Sequence, residues 1–221
     1  MSKILIIAAT HIEIAPLLAY YGVQTSGREG FYVSEKENKL AFLITGVGMV
    51  NTAFYSGKYI NDSYHIVLNL GITGVFNRKL QIGEVVNVTE DVVSELGAQD
   101  GDNFILYSDL NLGGTNRYVS REKLNSTLLK KLSVVKGITV NTIHGNENSI
   151  QEVVKLFSPD VESMEGAAFL RACTEVNGNA IQIRSVSNYV ERRNKNNWNI
   201  PLAIKNLNDF AIAFIEEQLR A

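Results

Sequence analysis

The segment ILIIAATHIE at residues 4–13 is the most informative part of the sequence for the fold, because it predicts a buried strand followed directly by a helix. The unbroken apolar run Ile4–Ala9 is typical of a strand that is covered on both faces of a sheet. Thr10 is a suitable helix N-cap, and the pattern predicts a helix from His11 to Tyr21 that stops at Gly22. Because the apolar run is too short for an export signal or a membrane span, we expect it to be the first strand of a cytoplasmic protein.

In the rest of the chain, apolar runs of strand length alternate with helical patterns. Strands are predicted at 31–34, 40–44, 66–70, 84–88, 138–142, 160–163 and 180–186, and helices at 50–60, 122–131, 147–157, 165–176 and 201–219. Residues 91–120 are polar and glycine-rich, which predicts loops and short edge strands. This alternation predicts a three-layer α/β fold with a central mixed, largely parallel twisted sheet flanked by helices. We expect residues 1–221 to form a single domain, since no change in composition divides them.

The composition is that of an ordinary globular protein, with 45% hydrophobic and 20% charged residues. A net charge of −2 gives no electrostatic reason to expect a nucleic acid or a membrane as partner, so a small molecule is the expected ligand. The single Cys173 cannot form an internal disulfide and is typical of a reducing compartment. The three histidines show no metal-ligand spacing, and we expect neither a metal nor a cofactor.

Two glycine-containing segments follow apolar strands, TGVGMVN at 45–51 and NLGITGV at 69–75. Glycine lets the backbone approach a ligand closely, and in open α/β sheets ligands bind beyond the carboxyl ends of the strands. One such segment is explained equally well by a tight strand-to-helix turn, but two in one sheet favour a crevice for a small molecule. Residues 45–51 match neither a full dinucleotide-binding GxGxxG sequence nor a phosphate-binding GxxxxGK(S/T) loop.

Three polar side chains lie at other predicted strand ends. Glu13 follows the first strand, Glu165 lies in VESMEGAA at 161–168, and Asn188 lies in RSVSNYVER at 184–192. Each has a structural alternative, because carboxylates are stabilised at helix N-termini and asparagine is common in turns. For Glu165 the small residues that follow favour a tightly packed helix. Such packing would hold the carboxylate at a buried edge, where it needs hydrogen-bond donors such as a sugar diol.

Taken together and in this order, these segments resemble the nucleoside phosphorylase/nucleosidase superfamily over nearly the whole chain. VESMEGAA and SNYVERRN, at 161–168 and 187–194, are the most specific parts and are similar to those of the futalosine hydrolase family. The resemblance implies that Glu13 positions and activates an attacking water and that Asn188 supports the departing base. It also implies substrate-binding roles for Gly48, Asn51, Gly71, Ile72, Thr73, Met164 and Glu165. Within this set, Glu165 would accept hydrogen bonds from the ribose 2′- and 3′-hydroxyls.

At position 188 the related methylthioadenosine/S-adenosylhomocysteine nucleosidases carry an Asp, whereas this chain has Asn188. The Asn amide can donate its NH₂ to a 6-oxo group and accept from a protonated N7 through its C=O. A carboxylate at this position would place an acceptor oxygen against the purine O6, which is also an acceptor. Such a mismatch costs about 1–3 kcal/mol. Asn188 therefore favours a 6-oxopurine such as hypoxanthine, although it cannot itself act as a carboxylic acid toward N7.

The resemblance therefore implies hydrolysis of the N-glycosidic bond of futalosine, with release of hypoxanthine, as a step of menaquinone biosynthesis. A hydrolase is favoured over a phosphorylase because Glu13 would repel phosphate. In addition, the sequence after the first strand lacks the Gly-Asp-Pro-type loop of the phosphorylases. A nucleosidase for methylthioadenosine, S-adenosylhomocysteine or aminodeoxyfutalosine remains an alternative, as does a non-catalytic nucleoside-binding module.

The resemblance also implies a homodimer, since relatives with this layout assemble at least as dimers and a partner chain often completes the 5′ pocket. Phe and Tyr side chains are expected to stack on the base. Arg192 or Arg193 is expected to meet the carboxylate of the futalosine tail, with a solvated lid as the alternative role of the polar segment around them.

Overall fold

The elements of the chain are taken from a computed structural model that describes residues 3–220. The strands are β1 (Lys3–Ala8), β2 (Gly30–Val33), β3 (Leu40–Ile44), β4 (Tyr64–Val75), β5 (Val85–Val93), β6 (Gly97–Asp100), β7 (Asn103–Leu106), β8 (Arg117–Val119), β9 (Ser133–Thr139), β10 (Val161–Ser163) and β11 (Asn179–Tyr189). The α-helices are α1 (His11–Tyr20), α2 (Met49–Tyr59), α3 (Glu147–Phe157), α4 (Gly166–Ala172) and α5 (Ile200–Arg220). Within this described part of the chain, no helix has the length and apolar character that crossing a bilayer requires.

The main sheet is mixed, with the strand order β10-β9-β5-β11-β4-β1-β3-β2 and with β8 beside β5. Its centre is parallel, because β1 pairs with β3 and β4, and β4 pairs with β11. The hairpin predicted at 31–34 and 40–44 is confirmed as the antiparallel pair β2 and β3 at one edge. The segment between β5 and β8 contributes a separate hairpin of β6 and β7.

Strand β10 closes part of this sheet on itself. It pairs with β9 in parallel and with the end of β4 in antiparallel orientation, where Val161 lies opposite Val75 and Glu162 opposite Gly74. The strands β10, β9, β5, β11 and β4 therefore form a ring of hydrogen-bonded neighbours. This closure brings Glu162 beside the carboxyl end of β4.

Helices cover both faces of the sheet because its central strands are apolar on both faces. In β1, Ile4 and Ile6 pack into a core formed with α1 and α5, whereas Leu5 and Ile7 pack with α4. All four side chains are at most 1% exposed, which accounts for the unbroken apolar run in the sequence. The prediction of a three-layer α/β fold with a mixed central sheet is confirmed.

The helix predicted at 122–131 is wrong, because this segment has only a 3₁₀ turn at Leu129–Lys131. Residues from elsewhere bind its backbone and hydroxyl groups. Lys123 N donates to Asn179 Oδ1 at 2.8 Å, and the Glu217 carboxylate accepts from one backbone N–H and two hydroxyls of the segment. These tertiary hydrogen bonds replace the helical ones that a pattern of apolar residues predicts.

Several element boundaries also differ from the prediction. The strand predicted at 138–142 lies earlier, as β9, and the helix predicted at 165–176 is shorter, as α4 followed by a 3₁₀ turn at Cys173–Glu175. The strands predicted at 66–70 and 180–186 are parts of the longer β4 and β11. The polar and glycine-rich segments after these runs therefore lie inside the sheet rather than in loops.

Candidate active site

A cavity of about 400 Å³ lies at the carboxyl ends of β1, β4, β10 and β11. This size suits a nucleoside, because small-molecule sites are typically about 300–1,000 Å³. Most of the site residues predicted from the sequence line it, namely Glu13, Ile72, Thr73, Met164, Glu165 and Asn188. It is also lined by residues that the sequence did not predict, among them Ile12, Ile143, Glu162, Ser187 and Trp198.

Glu13 is held by the start of α1. Thr10 caps this helix, and its backbone N–H and its hydroxyl each donate to Glu13 Oε2 at 2.9 Å. The backbone N–H of Ile72, from β4, donates to Glu13 Oε1 at 3.2 Å. The predicted Thr10 N-cap is confirmed, and its capping box with Glu13 also fixes this carboxylate in the cavity wall.

The pKa of Glu13 is raised above its ordinary value, chiefly by burial. The negative charge of Glu165 raises this pKa further, whereas Arg184 and the hydrogen bonds from Thr10 and Ile72 lower it. A carboxylate with a raised pKa is a stronger proton acceptor once it is ionised. Its environment therefore suits a general base.

Arg184 is a buried cation beside Glu13, and it is 1% exposed although it lies in the central strand β11. Its Nη2 donates to Asn69 Oδ1 at 2.6 Å. Gly71 leaves the space that this arrangement needs, since a Cβ there would lie 2.8 Å from Arg184 Nη1 and 3.1 Å from Glu13 Oε1. No role was predicted for Arg184, although a charged residue within an apolar strand is itself a signal of a buried partner.

Glu165 stands at the N-cap of α4. Its Oε1 accepts from the backbone N–H of Gly48 at 3.0 Å, and its Oε2 accepts from that of Met164 at 3.2 Å. The φ of Gly48 is 98°, a conformation that favours glycine, so the turn before α2 can direct this N–H to Glu165. Asn51, predicted in the same turn, is exposed, donates to Val47 O at 2.9 Å and does not line the cavity.

Gly71–Gly74 lie within β4 rather than after it, because the strand continues to Val75 and pairs with β11 along its length. Ile72 and Thr73 line the cavity from within the strand. Thr73 Oγ1 donates to the backbone oxygen of Glu162 at 2.6 Å, which ties β4 to β10. The absence of side chains at the glycines gives space to the polar residues of neighbouring strands.

Asn188 lies inside β11, where a β-bulge changes the register of the strand. Val186 pairs with Thr73 and Asn188 pairs with Gly74, so Ser187 has no partner in this ladder. Both Ser187 and Asn188 line the cavity, although neighbours in a regular strand face opposite sides. The bulge therefore accounts for two adjacent polar side chains at one site.

The Asn188 amide is held by two hydrogen bonds. Ser187 Oγ donates to Asn188 Oδ1 at 2.8 Å, and Asn188 Nδ2 donates to Tyr189 O at 3.0 Å. Because the amide has two N–H groups and two lone pairs, one donor and one acceptor position remain for a ligand. These are the two contacts that the base-recognition hypothesis needs.

Glu162 and His144 form a hydrogen-bonded pair at the cavity. Glu162 Oε2 lies 2.7 Å from His144 Nδ1, and Glu162 Oε1 accepts from the backbone N–H of His144 at 3.1 Å. Glu162 is 5% exposed, and with Asn188 it also lines a smaller neighbouring cavity. The pair was not predicted, because its members lie on separate elements and no local pattern links them.

Trp198 supplies an aromatic surface to the cavity, where Phe or Tyr had been expected. Among residues 3–220, no Phe or Tyr side chain of the same chain lines this cavity, and their stacking on a base stays a prediction. The guanidinium of Arg193 lies 5.2 Å from the Trp198 ring centre and lines the smaller cavity, whereas Arg192 is exposed and lines neither.

The described residues contain no cluster of three or more His, Cys, Asp or Glu that could hold a metal ion.

Asp91 supports the α4 side of the site from within the sheet. It is fully buried and accepts from Thr139 Oγ1 at 2.7 Å and from Gln182 Nε2 at 2.9 Å. Thr139 Oγ1 in turn accepts from the backbone N–H of Ala167, in the first turn of α4, at 2.7 Å. Asp91 therefore helps to fix the helix whose N-cap is Glu165.

Asp91 is expected to make the protein less stable as the pH rises. Burial raises its pKa from 3.8 to about 6, so the folded state binds this proton more tightly than the unfolded state does. The stability from this group is fully present below pH 3.8 and is lost as the pH rises through about 6. The loss is about 3 kcal/mol, at about 1.4 kcal/mol per pKa unit.

Asp91→Asn should remove this loss and raise the free energy of unfolding near pH 7 by about 1–3 kcal/mol. The gain is smaller than the full loss because the Asn amide has one acceptor oxygen, whereas both oxygens of Asp91 accept hydrogen bonds, from Thr139 and from Gln182. Urea denaturation of both proteins from roughly pH 4 to roughly pH 8 measures the effect. Glu13 also has a raised pKa and contributes a similar pH dependence in both proteins. The effect of Asp91 is therefore the difference between their free energies of unfolding at each pH. If the free energy of unfolding fell with pH by the same amount in both proteins, the prediction would be contradicted.

Comparison with known proteins links this geometry to one superfamily. The Phosphorylase superfamily matches residues 3–216. A futalosine hydrolase of Thermus thermophilus is 28% identical over 179 residues, which are 78% of this chain and 79% of that protein. An aminodeoxyfutalosine nucleosidase of Campylobacter jejuni is 24% identical over 201 residues, 85% of this chain and 86% of that protein. A crystal structure of a Helicobacter pylori 5′-methylthioadenosine/S-adenosylhomocysteine nucleosidase shares the fold, with a TM-score of 0.82, 18% identity and 98% coverage of both chains.

Proposed function

The chain belongs to the Phosphorylase superfamily, and from that premise we propose that it is a nucleosidase that cleaves futalosine into hypoxanthine and dehypoxanthine futalosine. The observation that carries the proposal is that Glu13, Glu165 and Asn188, from three separate elements, line one cavity. The names of the relatives support a nucleosidase. The preference for a 6-oxopurine rests on the amide at position 188.

Glu165 is proposed to bind the ribose. Its carboxylate can accept from the 2′- and 3′-hydroxyls, and its bonds from Gly48 and Met164 already fix its orientation. The same negative charge favours the positive charge that develops on the ribosyl group as the bond to N9 lengthens.

Glu13 is proposed to orient the water and to take one proton from it. The water oxygen forms a bond to C1′ while the C1′–N9 bond breaks and its electron pair stays with the purine. The purine then takes a proton at N7 from solvent, so the products are the free base and a sugar with a 1′-hydroxyl. A phosphate ion in place of water would meet the negative charges of Glu13 and Glu165, which favours hydrolysis over phosphorolysis.

Asn188 is proposed to bind the base at O6 and N7. Its free N–H suits the O6 acceptor, and its free lone pair suits the proton that N7 carries in the leaving purine. Arg193, beside the Trp198 ring, is the better placed of the two predicted arginines to meet the carboxylate of the futalosine tail.

We further propose a homodimer that acts in menaquinone biosynthesis in the cytoplasm. Exposed apolar side chains on α1, on α2 and in the turn before α2 support a dimer, since such patches mark protein interfaces. Ile12 is 68% exposed, Val47 50%, Val50 80% and Phe54 64%. Ile12 and Val47 also line the cavity, so a partner chain that covers them would complete it.

A product assay with futalosine, inosine and methylthioadenosine side by side tests the proposed activity. We expect hypoxanthine release from futalosine to be the fastest reaction and adenine release from methylthioadenosine to be the slowest. Faster adenine release would favour a nucleosidase for 6-amino substrates. Flat progress curves with intact binding would favour a non-catalytic nucleoside-binding module.

Asn188→Asp is expected to shift the substrate preference toward 6-amino nucleosides. A carboxylate can accept a hydrogen bond from a 6-amino group, but it faces O6 with a second acceptor. A mismatched buried pair costs about 1–3 kcal/mol, which corresponds to about a 5- to 150-fold change in the ratio of the kcat/KM values for the two substrates. The measurement is kcat/KM for futalosine and aminodeoxyfutalosine in both proteins. Asn194→Asp adds the same charge in an exposed segment and serves as control. An unchanged ratio in Asn188→Asp would remove the basis for assigning a 6-oxopurine.

A further inference from the structure

We propose that Glu162 is a second base-reading residue, whose carboxylate accepts a hydrogen bond from N1–H of a 6-oxopurine while His144 holds it in position. The inference rests on the proposed function in one respect, namely that a purine lies beside Asn188. It narrows the ligand class from purines with an oxygen at position six to those that also carry a hydrogen on N1.

Glu162 and Asn188 flank one glycine of the sheet. Gly74 pairs with Glu162 of β10 on one side and with Asn188 of β11 on the other. A Cβ at Gly74 would lie 3.4 Å from Asn188 Nδ2 and 3.5 Å from Glu162 Cγ. The two side chains therefore lie side by side, and both line the main cavity.

The order of groups on a purine edge matches this pair of neighbours. Hypoxanthine presents N7, O6 and then N1–H along one edge, whereas adenine presents N7, a 6-amino group and then a bare N1 lone pair. If Asn188 meets N7 and O6, its neighbour on the side of the six-membered ring meets N1. A carboxylate is an acceptor only, so Glu162 matches N1–H and repels the lone pair of adenine.

The Glu162 carboxylate has acceptor positions left for such a contact. His144 supplies the contacts of both oxygens, through Nδ1 at 2.7 Å and through its backbone N–H at 3.1 Å. A carboxylate has about four lone-pair positions, so others stay unfilled. Because Glu162 is only 5% exposed, water satisfies these positions poorly, and a ligand donor would gain from filling them.

A purely structural role for the pair makes a different prediction. The bonds between Glu162 and His144 also anchor the segment between β9 and α3 to β10. If anchoring were their whole role, weakening them would reduce the affinity for every base by the same factor. Discrimination between bases is therefore the property to measure.

The test is calorimetric binding of hypoxanthine, 1-methylhypoxanthine and adenine to the full-length protein and to Glu162→Gln. Glutamine keeps the size of the side chain but can donate as well as accept. We expect the unmodified protein to prefer hypoxanthine to both other bases. In Glu162→Gln we expect the preference over adenine to fall by about 5- to 150-fold, the range of one mismatched buried hydrogen bond. Glu152→Gln removes an exposed carboxylate from α3 and serves as the matched control.

His144 variants separate the positioning role and guard against a misfolded Glu162→Gln. His144→Asn keeps a side-chain donor and should retain the preference for hypoxanthine, whereas His144→Leu removes the donor and should reduce it. An unchanged preference in Glu162→Gln, an equal loss for all three bases, or no binding of hypoxanthine by the unmodified protein would overturn the inference.

Base binding needs no turnover, so this inference and the proposed function can fail separately. Hypoxanthine binding that depends on Glu162, in a protein that does not cleave futalosine, would sustain the inference and overturn the function. Rapid futalosine cleavage, with a preference for hypoxanthine that is the same in Glu162→Gln, would sustain the function and overturn the inference.

Discussion

Glu13→Gln is expected to lower kcat by about 10²- to 10⁴-fold, the usual contribution of a general base. Glutamine cannot take a proton from the water, but it still fits the N3 position of the capping box with Thr10. Its NH₂ group cannot accept the N–H of Ile72, which costs about 1–3 kcal/mol. Removal of a buried negative charge offsets part of this cost, so we expect a folded protein. The measurements are single-turnover cleavage of futalosine and calorimetric binding of hypoxanthine, which should be nearly unchanged.

Glu35→Gln removes an exposed carboxylate from the turn between β2 and β3 and provides the control. The pH dependence gives a second check, because the base must be ionised to act. In the unmodified protein kcat/KM should fall on the acid side with an apparent pKa above the ordinary glutamate value of 4.5. Near-normal turnover in Glu13→Gln would exclude Glu13 from the reaction.

Arg184→Met is expected to lower the free energy of unfolding by about 3–5 kcal/mol, because it leaves buried carboxylates without their cation. The charge of Arg184 lowers the pKa of both Glu13 and Asp91, so its removal raises both. We therefore expect the acid limb of kcat/KM to move to higher pH in this variant. Urea denaturation and a pH–rate profile on the same preparation measure the two effects.

Two further variants separate charge from packing at this position. Arg184→Lys keeps the charge and should restore most of the pH–rate profile, even if the hydrogen bond to Asn69 is lost. Adding Asp91→Asn to Arg184→Met removes one of the stranded carboxylates and should recover part of the stability. A pH–rate profile that does not move in Arg184→Met would show that this cation does not act on the base.

The fold was largely predictable because its decisive signals are local. The apolar run in β1, the Thr10 cap and the alternation of strands and helices each depend on neighbouring residues. The helix predicted at 122–131 failed for the opposite reason, since Asn179 and Glu217, far along the chain, bind its backbone. Local patterns contain no information about such partners.

The same distinction applies to the site. Glu13 and Glu165 stand at helix starts, which the sequence marks, and both line the cavity as expected. The pair of Glu162 and His144 joins two elements that meet only because β10 pairs with β9 and β4. Its detection required the topology of the sheet.

The residue without a ladder partner in β11 has a consequence for insertions and deletions. Arg184 lies opposite Gly71 and Asn188 opposite Gly74, so the extra residue reverses the parity between the guanidinium and the amide. Loss of Ser187 would leave Val186 opposite Thr73 and Asn188 opposite Gly74, so Asn188 would keep its face of the sheet, but it would remove the hydroxyl that donates to Asn188 Oδ1. The deletion of a single codon would thus preserve the architecture and release one of the two hydrogen bonds that hold the Asn188 amide.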